Sequence, residues 1–313
     1  MDLFKSYETL ITEALYANNE DKLNEQITKA MKSKKISQVT LVLCKLINDY
    51  WRSKSPENFK YCNAFAEPQT MEETRNKIYA QIKLVLKYGS GCLNTHVNLG
   101  HYIIVPTTPL VLAVKNLDVD IVELLLNNGA DAKLLFPAVK PINSALHEAC
   151  KCNSNLKPEQ KEQRLKIINL LLDKGADVNS LITFEIEIYR NDNFSTVLGY
   201  RTPLMGAMCV EKAGQRTLND DVVQIFETLL KREEYDLSVK GEYEIPMSLK
   251  EIVTNFVSKS ESRDKILELI TKVEARQKAD TAALPKPDGK KRKSKRKSKR
   301  NSKRKSKRKS KKK

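Results

Sequence analysis

The fold is decided by one stretch, TPLVLAVKNLDVDIVELLLNNGAD, residues 108–131. Its apolar residues predict a short helix followed by a longer one. The Thr108 hydroxyl can cap the first helix, and Pro109 suits a first turn that needs no amide donor. Gly129 permits the turn that ends the second helix. The stretch therefore predicts a helical hairpin.

The same pattern returns along the chain. A second copy runs from Ser144-Ala145-Leu146-His147 to a turn at Gly175, and a third opens at Arg201-Thr202-Pro203-Leu204. A weaker one has Ile245-Pro246-Met247 where the third has Thr202-Pro203-Leu204. Because one hairpin cannot bury its apolar face alone, the copies are expected to stack.

These copies resemble the ankyrin repeat, with its Thr-Pro-Leu-His-x-Ala opening, its Leu-Leu-Leu outer helix and its Gly-Ala-Asp-x-Asn close. The resemblance implies an all-α solenoid of helical hairpins with short β-hairpin fingers. A helical cap at 1–36 would precede a repeat domain at 37–277, and a disordered linker and basic tail at 278–313 would follow. The five predicted repeats are 38–97, 106–136, 141–182, 200–239 and 244–275.

The departures from an even repeat lie in the insertions. Leu146 and Leu204 are 58 residues apart, against about 33 for the family unit. Between them, residues 183–199 alternate apolar and polar, which predicts a β-hairpin finger. By analogy with the family, this finger is the preferred contact for a protein partner; padding of a groove, or pairing with a neighbouring finger, stays open. The candidate contact residues are Phe184, Ile186, Ile188, Tyr189, Asp192 and Phe194.

Three local features give further expectations. Gly89 is predicted to end its helix in the left-handed conformation. Pro158 is predicted to interrupt helix within a polar insert at 153–162. The run Tyr102–Val105 predicts a second short hairpin.

Chemistry-bearing motifs are missing from the sequence. It has no phosphate-binding glycine loop, no nucleophile elbow and no His-Glu-x-x-His. Cys92, His96 and His101 lack a fourth ligand at zinc spacing. The resemblance gives His147 a structural role, in hydrogen bonds to neighbouring backbone turns. We therefore expect no catalytic residue, metal site or cofactor, and no enzymatic activity.

The net charge of +17 comes from the end of the chain. Of 56 Lys and Arg residues, 18 lie in 290–313, which leaves 38 against 39 acidic residues elsewhere. Such a tail suits nuclear targeting or polyanion binding, with solubilisation as the remaining alternative. The residues assigned to this role are Lys290, Lys291, Arg292, Lys293, Lys295, Arg296, Lys297, Lys303, Arg304 and Lys305.

Serines recur every fourth residue in the tail, where phosphorylation would remove about 7 to 10 charges and could switch off either role. They are Ser294, Ser298, Ser302, Ser306 and Ser310.

These features predict an interaction scaffold that binds an unidentified protein on a concave face. The alternatives are a nucleic-acid-associated protein whose tail is the main binder, and an adaptor that delivers a target to another machine. RNA, DNA or an importin-type receptor could contact the tail. We expect a monomer without a membrane span. The six cysteines are interpreted as reduced thiols of an intracellular protein, with the nucleus favoured by the tail and the cytoplasm as the alternative.

Overall fold

A computed structural model describes residues 5–62, 70–99, 106–135, 144–151, 153, 155–190, 193–208, 218, 220–242 and 246–283. For 184–190, 193–198, 242 and 256 it describes the backbone alone. The chain divides into two units, residues 1–275 and residues 276–313.

Helices form most of the described chain, with four strands in its second half. The elements in order are α1 (Tyr7–Tyr16), α2 (Glu20–Lys32), α3 (Ile36–Arg52), α4 (Pro56–Phe59), α5 (Met71–Gly89), α6 (Pro109–Lys115), α7 (Val119–Asn127), α8 (Ala145–Cys150), α9 (Pro158–Asp173), β1 (Ile182–Arg190), β2 (Asn193–Arg201), α10 (Pro203–Ala207), α11 (Asp220–Leu230), β3 (Gly241–Glu242), β4 (Pro246–Met247), α12 (Leu249–Phe256) and α13 (Glu261–Ala283).

The helices stack in two layers. In the inner layer α1 packs on α3, α3 on α6, α6 on α8 and α8 on α10. In the outer layer α2 packs on α5, α7 on α9 and α9 on α11. One apolar core runs between the layers from Ile11 to Val273, so each hairpin is stabilised by its neighbours. The predicted all-α stack is confirmed.

Hydroxyl caps start most of the inner helices. Thr108 and Thr202 accept hydrogen bonds from the amides of Val111 and Met205 at 3.2 and 3.3 Å, as predicted. The Ser144 hydroxyl accepts likewise from the His147 amide at 3.2 Å. Each cap satisfies a donor that the first helical turn leaves without a partner.

The N-terminal pair α1–α2 has the geometry of a full repeat. Asn18 joins its helices with a φ of 48°, as Leu117 joins α6 to α7 with a φ of 55°. Lys34 closes the pair with a φ of 58°, where Gly129 and Gly175 close later hairpins with φ of 96° and 83°. The predicted cap at 1–36 is thus a hairpin of the stack, and the two glycine turns are confirmed.

The predicted finger at 183–199 is a β-hairpin, in which β1 and β2 pair antiparallel from Ile182↔Arg201 to Arg190↔Asn193. β2 also pairs with β3 through Tyr200↔Glu242, and β3 with β4, to form one sheet in the order β1-β2-β3-β4. A Cβ at Gly241 would lie 3.0 Å from the Tyr200 carbonyl oxygen, so this crossing requires glycine.

Two sequence predictions about helix boundaries are wrong. Gly89 has a φ of −130°, outside the left-handed region. A Cβ there would lie 3.1 Å from Val39 and 3.2 Å from Ile27, so the position needs a small residue for space. Pro158 does not interrupt a helix: it opens α9, where the missing amide costs nothing.

Two boundaries near the end of the repeat domain also differ. Pro246 and Met247 form β4, and Ser248 caps α12 through the Glu251 amide at 3.3 Å, so Ser248 takes the place of Thr202 in the repeat. The predicted linker start at 278 lies inside α13, which continues to Ala283. The residues 279–283, Ala-Asp-Thr-Ala-Ala, include three alanines, which favour helix. Tyr102–Val105 lie outside the described residues, although Val97 and Thr107 form an antiparallel bridge.

Candidate protein-interaction surface

The N-terminal groove, which we define as the space between α1 and α3, has a volume of about 610 Å³. Buried Leu15, Val42 and Leu46 contribute its apolar lining. Gln81 of α5 also lines it and donates a hydrogen bond to the Leu15 carbonyl at 3.2 Å. Helical spacing supplies the polar lining, since residues three or four apart share a helix face. These polar residues are Glu8, Thr9, Thr12 and Glu13 of α1 and Lys45, Asn48, Asp49 and Arg52 of α3.

Ion pairs fix the charged groups of this groove. Lys45 pairs with Glu8 across the two helices. Arg52 donates to Asp49 at 3.2 Å and to the carbonyl of Tyr61 at 3.0 Å. The rim therefore presents both signs of charge around an apolar centre, an arrangement common in protein interfaces.

Two tyrosines lie beside these charged groups. Tyr16 ends α1 and is 50% exposed, and Tyr61 is 58% exposed. Burial of its phenol raises the pKa of Tyr16, and the nearby Asp49 carboxylate adds to that effect. Exposed tyrosines next to an arginine are the residue types that dominate binding energy in interfaces.

His147 joins the hairpin α8–α9 to the hairpin α10–α11, which bears out its expected structural role. Its Nε2 lies 3.1 Å from the Arg201 carbonyl oxygen, and its Nδ1 lies 2.6 Å from the Ser144 hydroxyl. Because a carbonyl only accepts, Nε2 carries the proton and Nδ1 accepts from Ser144. Burial lowers the pKa of His147 to about 3, so the ring is neutral at pH 7.

Two asparagines join neighbouring closing turns in the same way. The Asn94 amide donates to the Gly129 carbonyl at 3.3 Å and accepts from the Asp131 amide at 2.9 Å. Asn179 donates to the Glu234 carbonyl at 2.6 Å and accepts from the Asp236 amide at 2.8 Å. Each side chain thus fixes the spacing between two hairpins.

A buried ion pair joins the outer helices α9 and α11. Arg164 is 2% exposed and Asp221 is 5% exposed, and the guanidinium donates to the carboxylate. Arg164 also donates to the Lys151 carbonyl at 3.1 Å, and Lys161 lies 3.7 Å from the other oxygen of Asp221. These contacts hold α9 against α11 and against the chain just after α8.

The predicted contact residues of the finger do not share one face. Phe184, Ile186 and Ile188 occupy alternate positions of β1 and so lie on the same face of the hairpin. Tyr189 lies on the opposite face, and Phe194 is its cross-strand partner. Asp192 lies outside the described residues. The backbone thus groups three of the six on one face and two on the other.

The predicted tail sites all lie beyond Ala283, the last described residue, and this includes every Lys, Arg and Ser of 290–313. The described part of the chain contains no group of three His, Cys, Asp or Glu residues arranged to hold a metal ion. In that same part, no helix is both long and apolar enough to cross a membrane.

Three of the four thiols that the structure describes sit away from water. Cys44, Cys92 and Cys150 are buried, and Cys62 is partly buried. Burial raises the pKa of Cys92 and of Cys150 to about 12, which makes both thiols unreactive.

The N-terminal groove was missed from the sequence because α1 was interpreted as part of a cap. A signal was present: Asn18-Asn19 stands between α1 and α2 as Leu117-Asp118 stands between α6 and α7. The Asn19 side chain accepts from the Lys22 amide, as Asp118 accepts from the Ile121 amide. That match would have placed α1 in the inner layer.

A family model described as ankyrin repeats matches residues 75–182 in three copies. No curated protein matches the chain. One solved structure that matches is the ankyrin repeat domain of Bcl-3, described as a unique member of the IkappaB protein family. The two chains are 16% identical over 70% of this chain and 97% of that one, with a TM-score of 0.26, which is too low to bear on function.

Proposed function

Residues 75–182 are ankyrin repeats, which generally mediate protein–protein interaction, and we propose that this protein is a non-enzymatic scaffold that binds a protein partner. The partner would lie along the inner helices and the finger β1–β2. The observation that carries this proposal is the N-terminal groove, with its apolar floor and rim of both charges.

The groove suits a protein segment better than a small polar ligand. Leu15, Val42 and Leu46 offer an apolar surface for one or two side chains. Lys45 and Glu8 can exchange their internal pair for pairs with a partner at small cost, because exposed ion pairs are worth about 0–1 kcal/mol. Tyr16 supplies a large, half-exposed ring beside them.

A photo-crosslinking amino acid at Thr12 of the full chain tests this assignment. Thr12 lines the groove, whereas Lys166 is exposed on the outer helix α9 and provides the matched control position. We expect a partner to be captured from Thr12, not from Lys166, and capture to fall when Tyr16→Ala is added. The same captured proteins from both positions, or capture that Tyr16→Ala leaves unchanged, would show that the groove is not the binding site.

We propose for the basic tail a separate role in nuclear targeting or polyanion binding. What supports it is the sequence: 18 Lys and Arg among the 24 residues of 290–313, with no acidic residue. Binding to a phosphate backbone through such a tail falls steeply as salt rises. The absence of aromatic residues from 290–313 argues against base stacking, and so against sequence-specific readout.

RNA titration at two salt concentrations, with the full chain and with a chain lacking 289–313, tests the tail. We expect strong, salt-dependent binding that is lost with the tail. A fluorescent fusion of each chain reports localisation in parallel. An RNA affinity unchanged by the truncation would exclude the tail as the main binder, and unchanged localisation would exclude its targeting role.

A further inference from the structure

The sheet formed by β1–β4 has two unlike edges. At one edge β4 contains only Pro246 and Met247, and a proline in so short a strand discourages further pairing. At the other edge β1 has nine residues, from Ile182 to Arg190. Within the described part of the chain, β1 pairs only with β2.

The β1 edge lacks several of the devices that block strand pairing, and its charged residues restrict which strands can pair with it. Its sequence, ITFEIEIYR, contains no proline, glycine or lysine. Its register with β2 runs one-to-one through nine successive pairs, so no bulge bends it away. A strand of this length and regularity is a template for a further strand.

The charge pattern of β1 indicates what kind of strand would fit. Glu185 and Glu187 lie on one face of the hairpin, and their cross-strand partners Leu198 and Thr196 carry no positive charge. Phe184, Ile186 and Ile188 occupy the alternate positions of β1, which belong to the other face. An added strand would therefore need basic residues alternating with apolar ones.

A second copy of this chain does not meet that requirement. In an antiparallel pairing of two β1 strands about Ile186, Glu185 of one copy lies opposite Glu187 of the other. Shifting the centre to Glu185 or Glu187 places that residue opposite its own copy. Like charges directly opposite each other are destabilising, so the three registers that pair the most of β1 are disfavoured. Registers centred on Phe184 or Ile188 avoid this opposition but pair only five residues of β1.

We propose that the outer edge of β1 binds an extended segment of a protein partner in which Lys or Arg alternates with apolar residues. This proposal rests on the proposed scaffold function and specifies how the partner binds, namely by adding a strand to the edge of a sheet. The backbone of β1 supplies hydrogen bonds, Glu185 and Glu187 select positive charge, and the alternation selects the register.

A blocked nine-residue peptide that alternates Lys and Val is the probe, titrated into the full chain by fluorescence anisotropy. Comparison peptides are titrated in the same way. A peptide with Glu in place of Lys tests the role of charge, and a rearranged peptide with all Lys before all Val tests the role of alternation. Two peptides N-methylated on every second residue, in opposite phases, test the backbone hydrogen bonds. We expect only the alternating Lys peptide to bind. One phase of N-methylation should abolish binding and the other should not, because alternate amides of a strand face opposite sides.

Charge reversal in the protein completes the test. Glu185→Lys with Glu187→Lys should weaken binding of the Lys peptide roughly three- to thirty-fold and should create binding of the Glu peptide. Glu233→Lys with Glu234→Lys, two exposed residues after α11, changes the net charge equally and should leave both affinities unchanged. Circular dichroism checks that each variant folds.

Amide hydrogen exchange locates the peptide. In the free chain alternate amides of β1 should exchange quickly, and the peptide should protect them. Binding of the rearranged peptide equal to that of the alternating Lys peptide, equal binding of the two N-methylated peptides, or β1 amides that are all protected before peptide is added would overturn the proposal. The scaffold function would survive that result if crosslinking from Thr12 still captured a partner.

Discussion

The hairpins α6–α7 and α1–α2 fold alike from unlike sequences. The first carries the full repeat motif, whereas the second has neither the Thr-Pro-Leu opening nor the glycine close. Both nevertheless turn through a left-handed residue between their helices, Leu117 and Asn18. Both also bury an alanine on the inner helix, Ala113 and Ala14. The repeat is therefore defined by its turns and its buried face, and the motif is one way to encode them.

The two regions differ in what joins a hairpin to the next. The N-terminal pair is held mainly by apolar packing of Ile11 and Ile27, with surface ion pairs such as Lys87–Glu20 that contribute little. The later hairpins are also joined by the half-exposed Asn179 and by buried polar groups, among them His147 and the Arg164–Asp221 pair. A polar side chain that joins two hairpins needs a specific hydrogen-bond partner. The later hairpins should therefore tolerate substitution less well at these positions.

The largest effect should come from Asp221→Ala. It leaves the Arg164 guanidinium buried without its carboxylate, which costs about 3–5 kcal/mol of unfolding free energy. Urea denaturation measures the change. Glu268→Ala, in an exposed pair with Lys272, is the control and should change stability by less than about 0.5 kcal/mol. Replacing both Arg164 and Asp221 with Leu should cost less than Asp221→Ala, and an equal cost would contradict this explanation.

The next largest effect should be a pH dependence of the free energy of unfolding, which arises from His147 where it joins the hairpin α8–α9 to the hairpin α10–α11. Its pKa is about 3 in the fold and near 6.5 when unfolded, so the unfolded chain binds the extra proton. The contribution of His147 to the free energy of unfolding is therefore complete above pH 6.5. It is lost as the pH falls below that value, by about 1.4 kcal/mol per pH unit.

Urea denaturation at pH 7 and pH 5 should therefore show a loss of roughly 2 kcal/mol from His147. In His147→Gln the difference between the two pH values should be smaller by that amount, because glutamine does not titrate. An identical pH dependence in the variant would mean that the ring is not held neutral by burial.

A smaller effect is expected at Asn179. Asn179→Ala removes its bonds to the Glu234 carbonyl and the Asp236 amide, which should cost about 1–2 kcal/mol. Asn169→Ala is the matched control, because Asn169 bonds only within its own helix, to the Leu165 carbonyl. Thermal denaturation compares the two, and equal losses would show that Asn179 does not join hairpins.

The smallest effects should have opposite signs at equivalent turns. Lys34→Gly relieves a left-handed side chain and should stabilise by up to about 1 kcal/mol. Gly175→Ala places a Cβ at a φ of 83° and should destabilise by about 1 kcal/mol. Thermal denaturation of each variant checks the signs, and two changes of the same sign would show that the turns are not equivalent.

The sequence was most informative where a local interaction decides the structure. Thr108, Thr202 and Gly129 act within one turn of chain, and their predicted roles are confirmed. Pro158 and Gly89 were misassigned because their meaning depends on position. A proline opens a helix as readily as it interrupts one, and only packing against Val39 and Ile27 explains why residue 89 is small.

The candidate surface was predicted less well than the fold. The alternation in 183–199 located the finger and already implied opposite faces for Phe184 and Tyr189 in a regular strand. It could not show that Tyr189 would pair with Phe194, since register with β2 fixes that. The N-terminal groove needs α1 and α3 side by side, two helices separated by α2 in sequence. The turn at Asn18-Asn19 indicates that α1 belongs to the inner layer, but the contact between α1 and α3 leaves no local pattern of its own.

What the sequence determined by itself is the hairpin unit, because helix period, hydroxyl caps and glycine turns act over a few residues. Tertiary structure decided how the units join. The His147 bond to Arg201, the Asn179 bond to Glu234 and the pairing of β2 with β3 link residues about 40 to 55 positions apart. Their geometry exists only once the stack has formed, since each needs a neighbour held at a fixed distance by the buried core.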